Sequence, residues 1–139
     1  MFQYRCTIRR VVDGDTVDVD IDLGFDQWIH KARIRLEGID AAETRTRNPL
    51  EKAAGFFAKR LLQDLLPVGS AAILHSKKFS RGKFGRIMGD LSRKDVDISS
   101  VTSILKRRGA AIEYIDNSAA RKVAQLENWN KLRDSGLIE

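Results

Sequence analysis

The first forty residues alternate between apolar and polar side chains in a way that predicts antiparallel strands. Residues 3–12 and 15–22 are rich in β-branched side chains, and from residue 17 onward the second segment alternates strictly between an aliphatic residue and an aspartate. After a turn at residues 23–26, residues 27–39 alternate again. This pattern predicts a hairpin of two half-buried strands.

Each strand of this hairpin is expected to have one apolar face and one charged face. The predicted apolar face of the second strand consists of Trp28, His30, Ala32, Ile34 and Leu36. Cross-strand neighbours share a face, so Asp18 and Asp20 are expected to lie opposite Arg33 and Lys31 on the outer face. Ion pairs on that outer face explain the aspartate run, and a metal site is the alternative interpretation.

Helical spacing of apolar residues, bounded by caps and breakers, predicts three helices. The first begins at Asn48-Pro49 and ends before Pro67, and the second spans residues 99–108, with Ser99 or Ser100 as its cap. The third spans about residues 118–134. The side chains predicted to be buried on this third helix are Ala120, Val123, Leu126 and Trp129.

Two further strands are predicted at residues 71–76 and 85–91, which brings the number of strands to five. Five short strands, interrupted and followed by helices, favour an α+β fold in which a small β-barrel packs against three α-helices. The length of 139 residues is typical of a single domain, so we expect residues 1–139 to share one core.

The composition predicts a soluble protein. Hydrophobic residues make up 42% of the chain and charged residues 32%, and no stretch approaches the roughly 20 apolar residues that span a bilayer, so no membrane partner is expected. The first ten residues carry no apolar run typical of a secretory signal. A cytoplasmic location is therefore the default expectation. A removed signal would leave no trace, so secretion stays open as the alternative.

The excess positive charge is concentrated in the middle of the chain. Residues 59–108 contain 12 Lys and Arg against 4 Asp and Glu, whereas residues 1–58 contain 9 against 10 and residues 109–139 contain 4 against 5. Clustered cations are typical of a surface that binds a polyanion such as nucleic acid, because each neutralised phosphate releases counterions. A solvated basic face that keeps the protein soluble is the alternative interpretation.

Asp15 is an unusual residue at the start of a buried strand. It has the same parity as Val17 and Val19, so its side chain is expected to begin the inward-facing row. A buried carboxylate costs free energy unless a cation compensates its charge. The sequence therefore predicts a cationic partner for Asp15.

Three charged clusters are not explained by the predicted core: DGDT at residues 13–16, RIRLEGIDAAE at residues 33–43 and GKFGR at residues 82–86. They contain carboxylates, which suit a hard cation and can accept a proton from water. They also contain arginines, whose planar guanidinium groups bind phosphate bidentately and stay charged. Together these are the side chains that cleavage of a phosphodiester requires.

The order and spacing of these clusters resemble the staphylococcal nuclease (thermonuclease) family over nearly the whole chain. The resemblance implies a five-stranded OB-type barrel with three helices and one Ca²⁺ ion in the site. It implies that Asp15, Asp40 and the backbone carbonyl of Ala41 bind this ion, and that Asp13 orients the ligands or a metal-bound water.

The resemblance also implies the catalytic residues and the reaction. Glu43 matches the general base, and Arg35 and Arg86 match the two arginines that bind the scissile phosphate. The implied enzyme is a calcium-dependent endonuclease that cuts single-stranded DNA, double-stranded DNA and RNA. Water attacks phosphorus in line, the 5′ oxygen leaves, and a 3′-phosphate remains. A catalytically weak or inactive nucleic-acid-binding module with the same OB-type fold is the alternative.

Five residues are candidates for further contacts with the nucleic acid: Lys83, Phe84, Tyr114, Arg45 and Arg47. Phe84 stands where the family often has tyrosine, so it can stack on a base but donates no hydrogen bond. Ala41-Ala42 stand where the family commonly has Thr-Pro, so the turn lacks the stiffness of proline. Arg45 and Arg47 either line the substrate groove or belong to a solvated loop. The sequence gives no indication of protein partners.

Overall fold

A computed structural model of the chain describes residues 2–76 and 86–139. The elements in chain order are β1 (Phe2–Asp13), β2 (Thr16–Gly24), β3 (Gln27–Leu36), β4 (Ile39–Ala41), α1 (Pro49–Leu65), β5 (Ala71–Ser76), β6 (Ile87–Ser92), α2 (Val101–Arg107), β7 (Ala111–Glu113) and α3 (Ser118–Asp134). Within the described residues, none of these helices has the length and apolar character needed to cross a membrane.

Five strands form a closed barrel in the order β1-β2-β3-β6-β5. The β3–β6 pair is parallel, and the other four barrel pairs are antiparallel. Aliphatic side chains that point inward from these strands, such as Ile8, Val19 and Ile34, are fully buried and form the main core with residues of α1 and α2. The predicted α+β class, with an OB-type five-stranded barrel and three helices, is confirmed.

The first helix packs closely against the barrel because the residues between them are small. Asn48 caps α1 by accepting hydrogen bonds from the backbone N–H groups of Leu50 and Glu51, and proline occupies the first turn, as predicted. The buried face of α1 includes Ala54, Gly55 and Ala58. These short side chains let the helix backbone approach the segment that carries the candidate site residues.

Two short strands form a second sheet that the alternation pattern did not separate from the hairpin. The predicted strand over residues 27–39 ends at Leu36 in the structure, and Gly38, with a φ of 80°, turns the chain into β4. Strand β4 then pairs antiparallel with β7, so that Asp40 lies opposite Ile112. This pairing removes Asp40 from the barrel wall and fixes its backbone at the barrel's edge.

The outer face of the β2–β3 hairpin carries the predicted pair of Asp18 and Arg33. Arg33 donates two hydrogen bonds to the Asp18 carboxylate, at 2.9 and 3.1 Å. The second predicted pair differs, because Asp20 accepts a hydrogen bond from the backbone N–H of Lys31 at 2.9 Å and not from its ammonium group. Lys31 has a positive φ of 54°, and the strand register shifts at this point.

This irregularity at Lys31 also overturns the predicted apolar face of β3. Trp28 is 44% exposed and His30 is exposed, whereas Ala32, Ile34 and Leu36 are buried as predicted. An extra residue in a strand changes which positions point inward before and after it. The alternation before Lys31 therefore does not identify the side chains that face the barrel interior.

The predicted buried face of α3 was wrong except at Trp129. Ala120, Val123 and Leu126 are exposed, and the buried residues are Gln125, Trp129 and Leu132. Trp129 and Leu132 pack in a cluster with Ala42, Ala54 and Ile138. A tryptophan side chain buries more area than valine or alanine, so its stripe, at spacing i, i+4 and i+7, sets the face.

Candidate active site

Asp15 lies in the turn between β1 and β2, with its carboxylate held on several sides. Its side chain accepts hydrogen bonds from the backbone N–H of Ala41 at 3.0 Å and from the Thr16 hydroxyl at 2.9 Å. Its own carbonyl accepts a hydrogen bond from the N–H of Leu36 at 2.8 Å. Asp15 is 9% exposed, so the predicted inward direction is correct, and these bonds fix the carboxylate between β2, β3 and β4.

Gly14 explains why this turn can lie against the first helix. A Cβ atom at this position would lie 2.4 Å from the Cβ of Ala58 and 3.0 Å from the Cβ of Ala41. Real Cβ atoms do not approach other carbons so closely, so only glycine fits without movement of α1 or β4. The glycine between the two aspartates of DGDT therefore permits the approach of three chain segments at the site.

The cationic partner that the sequence predicts for Asp15 is the guanidinium group of Arg35. One nitrogen of Arg35, Nη2, lies 3.4 Å from Oδ2 of Asp15 and 3.3 Å from Oδ1 of Asp40. The other, Nη1, donates hydrogen bonds to the carbonyls of Leu36 at 2.8 Å and Ile39 at 3.0 Å. The structure thus brings Asp15 together with two predicted site residues, Arg35 and Asp40, that follow it by 20 residues or more.

Gln125 holds the other oxygen of Asp40, and sequence reasoning missed this residue. Its Nε2 donates hydrogen bonds to the Asp40 carboxylate at 2.8 Å and to the Asp40 carbonyl at 3.0 Å. Gln125 is 6% exposed on α3. Its position four and seven residues before Trp129 and Leu132 was the available signal, because a polar residue inside an apolar stripe needs a buried partner.

Glu43 follows β4, and its carboxylate is affected by the negative charges of the same site. Its side chain is largely exposed, yet partial desolvation, followed by the charges of Glu51, Asp13, Asp15 and Asp40, raises its pKa above the usual range of a glutamate. Desolvation is the larger cause, and the neighbouring carboxylates add to it because they disfavour the charged form of Glu43.

The backbone at Glu43 is positioned by the first helix. A Cβ atom at Gly55 of α1 would lie 2.4 Å from the carbonyl oxygen of Glu43, so the helix and this segment are in direct contact. The residue after Glu43 contacts Asp13, since the Thr44 hydroxyl donates a hydrogen bond to the Asp13 carboxylate at 2.8 Å. The predicted site residues Asp13 and Glu43 therefore lie on segments that are fastened to each other.

Arg86 and Tyr114 line a cavity of about 480 Å³ together with Arg35. Arg86 immediately precedes β6, and Tyr114 follows β7, where its N–H donates to the carbonyl of Gly38 at 2.9 Å. Tyr114 is 49% exposed, and the guanidinium carbon of Arg121 lies 5.3 Å from the centre of its ring. The two predicted phosphate-binding arginines and the predicted nucleotide-binding tyrosine thus share one concave surface.

Asp40 lines a second cavity, of about 510 Å³. One wall is the segment from Asp40 to Glu43, and the other wall is α3, including Arg121 and Lys122. Asp40 and Gln125 therefore both line this cavity.

The remaining candidates are not brought into this cluster by the described contacts. Arg45 and Arg47 are exposed on the segment between β4 and α1, and their contact with the nucleic acid stays a prediction. Lys83 and Phe84 lie outside the described residues.

The donor set at the site consists of oxygen atoms. Asp15 and Asp40 converge on a single nitrogen, and carboxylate and carbonyl oxygens are the ligands that hard cations such as Ca²⁺ prefer. After desolvation, the charges of Glu51, Asp13, Asp15 and Asp40 contribute to the raised pKa of Glu43, and a cation would offset those charges. Among residues 2–76 and 86–139, no three His, Cys, Asp or Glu side chains are already arranged as a metal site.

Comparison with models of protein families gives a match that covers most of the chain. A family model described as "Staphylococcal nuclease homologue" matches residues 33–134. The matched range includes Arg35, Asp40, Glu43 and Arg86, and it begins after the DGDT turn. No protein with a curated description matches the chain.

Proposed function

The chain belongs to the staphylococcal nuclease family, and from this premise we propose that it is a calcium-dependent nuclease. Its proposed substrates are single-stranded DNA, double-stranded DNA and RNA, which it hydrolyses to leave 3′-phosphate ends. The observation that carries the proposal is the meeting of Asp15, Arg35 and Asp40, where one guanidinium nitrogen lies within 3.4 Å of both carboxylates.

In this proposal, Asp15, Asp40 and the carbonyl of Ala41 would hold one Ca²⁺ ion, and Asp13 would orient the segment through Thr44. The chemistry of the donors supports this assignment, because all of them are oxygen atoms and two are carboxylates. When bound, the ion would supply positive charge that neutralises the carboxylates and the phosphoryl oxygens of the substrate.

Arg35 and Arg86 would bind the phosphoryl oxygens as negative charge develops on them. The hydrogen bonds from Nη1 of Arg35 to two backbone carbonyls fix the plane of its guanidinium group before substrate arrives. A donor that is already oriented costs no reorganisation in the transition state, which is why such contacts contribute strongly to turnover. Arg86 lines the same cavity and can approach the phosphate from a different strand.

Glu43 would accept the proton of the attacking water. Its carboxylate is exposed enough to reach a water molecule, and it follows directly on the segment that carries the proposed ligands Asp40 and Ala41. The water oxygen bonds to phosphorus as the P–O5′ bond breaks, Glu43 takes the proton, and the leaving 5′ oxygen is protonated from solvent.

The distribution of charge supports a polymeric, sequence-tolerant substrate. The basic segment over residues 59–108 includes Arg86 and contains 12 Lys and Arg against 4 Asp and Glu. Contacts with phosphates position a nucleic acid without reading its sequence. The half-exposed ring of Tyr114 offers a surface on which any base can stack.

One observation favours a second candidate function, a non-catalytic nucleic-acid-binding module. Both Nη atoms of Arg35 already contact protein oxygens, namely those of Leu36, Ile39, Asp15 and Asp40. If these contacts persist with substrate present, Arg35 has less capacity to bind a phosphate. The fold would then bind nucleic acid through its basic surface alone.

A cleavage assay separates these two functions. The purified protein is incubated with single-stranded DNA in Ca²⁺ and, separately, in a chelator, and binding is measured under both conditions. We expect cleavage in Ca²⁺ with 3′-phosphate products and none in chelator. Binding without cleavage that depends on calcium would instead support the nucleic-acid-binding module.

A further inference from the structure

Helix α3 has little apolar contact with the rest of the molecule over most of its length. Of its 17 residues, the buried ones are Gln125, Trp129 and Leu132. Its apolar residues Val123 and Leu126 are 59% and 47% exposed. The placement of α3 therefore depends on a short stripe near its middle and end, and one member of that stripe is polar.

That polar member, Gln125, contacts the candidate cation site directly. The two hydrogen bonds from its Nε2 reach both the carboxylate and the carbonyl of Asp40, at 2.8 and 3.0 Å. The opposite carboxylate oxygen of Asp40 faces Nη2 of Arg35 at 3.3 Å. The Asp40 side chain is thus held from two directions, by β3 through Arg35 and by α3 through Gln125.

The role of Gln125 differs from a packing role because its partner is a proposed ligand. Asp40 lies on a strand of three residues, which by itself gives little rigidity, and its side chain is 22% exposed. Gln125 is joined to the main chain and the side chain of the same residue, so it sets the rotation of the carboxylate relative to β4. Residues behind a metal ligand orient it in this way, and their loss typically lowers metal affinity by about 10- to 100-fold.

We propose that Gln125 is a positioning residue for the cation site and that docking of α3 through Gln125 is thermodynamically coupled to cation binding at Asp40. This inference rests on the proposed function, since it takes Asp40 as a ligand. Coupling between two events is reciprocal. If docked α3 increases the affinity for Ca²⁺, then Ca²⁺ must increase the stability of docked α3 by the same factor.

The first test uses Gln125→Met, which keeps the length of the side chain and removes its donor. The matched control is Asn128→Leu, on the same helix, which removes an amide that donates to the carbonyl of Gly109 at 3.0 Å and has no contact with Asp40 in the described hydrogen bonds. Calcium affinity is measured by titration calorimetry on the full chain. We expect the affinity to fall about 10- to 100-fold in Gln125→Met and to stay within twofold of the unsubstituted protein in Asn128→Leu.

The second test needs no substitution and so does not depend on a variant that folds. Hydrogen exchange of the α3 amides is measured in the unsubstituted protein with and without Ca²⁺. We expect Ca²⁺ to slow exchange in α3 by about the factor that the first test gives for the loss of affinity, because the coupling is reciprocal.

The outcomes of these tests are distinct. If the unsubstituted protein binds no Ca²⁺, the calcium part of the proposed function fails, and this inference fails with it. If the protein binds Ca²⁺ but Gln125→Met binds it equally well, or exchange in α3 is unchanged by Ca²⁺, only the role of Gln125 is overturned. Equal losses of affinity in Gln125→Met and Asn128→Leu would also overturn it, because they would indicate general loosening of α3.

Discussion

Arg33 and Arg35 both alternate with the buried side chains of β3, but their contacts with aspartates differ in geometry. On the outer face, Arg33 donates two short bonds, at 2.9 and 3.1 Å, to one carboxylate, and its side chain is 47% exposed. At the site, a single nitrogen of Arg35 is shared between Asp15 and Asp40 at 3.4 and 3.3 Å, and the Arg35 side chain is 11% exposed.

The difference indicates how identical residue types can serve structure in the middle of the hairpin and, in the proposed function, chemistry at the end of β3. In the outer pair, one carboxylate and one guanidinium group neutralise each other through two hydrogen bonds. The hydrogen bond to Asp18 raises the pKa of Arg33, because it favours the charged guanidinium. The inner set contains more carboxylates than one guanidinium can neutralise, which is consistent with the raised pKa of Glu43. The charged side chains alone therefore leave an excess of negative charge at the site, which a bound cation and the arginines could neutralise together.

The largest expected effect comes from changing the inner arginine. Arg35→Lys keeps a positive charge beside Asp15 and Asp40, but one ammonium group lacks the planar fork that contacts two carbonyls and a phosphate together. We expect turnover of single-stranded DNA to fall by about 100-fold or more, as for a removed transition-state contact, with the circular dichroism spectrum unchanged.

The control for this substitution is Arg9→Lys. Arg9 lies on the outer face, 52% exposed, with its Nε 3.6 Å from the carboxylate of Asp20. We expect normal turnover from this variant. Comparable losses in both variants would mean that the two sets of contacts do not differ in function, and normal turnover in Arg35→Lys would remove Arg35 from the proposed mechanism.

A smaller effect is expected at the two turns that bound β2. Gly14→Ala places a Cβ atom 2.4 Å from Ala58, and overpacking of this kind lowers the free energy of unfolding by roughly 1–3 kcal/mol. Because the turn also carries Asp15, we expect turnover to fall as well. Chemical denaturation and the cleavage assay measure the two quantities on the same sample.

Gly24→Ala is the matched substitution at the far turn of the same strand. Gly24 has open space around it but a φ of 83°, so alanine there costs roughly 1–2 kcal/mol through backbone strain alone. We expect this variant to lose stability and to keep its turnover. Loss of turnover at both turns would mean that the assay reports stability and not the position of Asp15.

The smallest effect is expected for the outer pair itself. Asp18→Asn removes one charge of a pair whose arginine is half exposed, and such pairs contribute about 0–1 kcal/mol to the free energy of unfolding. Turnover should not change. A loss of more than about 2 kcal/mol, measured by denaturant unfolding, would exceed the range for a surface pair and would show that the outer face matters more to the fold than its exposure indicates.

Much of the fold follows from local patterns, and Asp18, Asn48 and Asp15 show why. The alternation of β2 correctly places Asp18 outward and Asp15 inward, because strand parity is a property of the backbone. The cap at Asn48 was predictable because its side chain satisfies donors two and three residues away. The pairing of Asp18 with Arg33 was predictable because both lie on the charged faces of neighbouring strands.

The features that were not predictable depend on contacts between distant segments. Strands β4 and β7 are far apart in the sequence, and each has only three residues. Segments this short show no periodicity from which their pairing could be predicted. Gln125 is polar and was not among the side chains predicted to be buried, and it contacts Asp40 from the buried face of Trp129. The extra residue at Lys31 reversed the faces of Trp28 and His30.

The most direct test of the central claim is a crystal structure grown with Ca²⁺ and a nucleoside 3′,5′-bisphosphate, in which anomalous scattering locates the cation. We predict one Ca²⁺ ion bound by Asp15, Asp40 and the carbonyl of Ala41, with a phosphate of the nucleotide contacted by Arg35 and Arg86. A cation bound elsewhere, or Asp15 and Asp40 still paired only with Arg35 while the nucleotide lies away from them, would contradict the account.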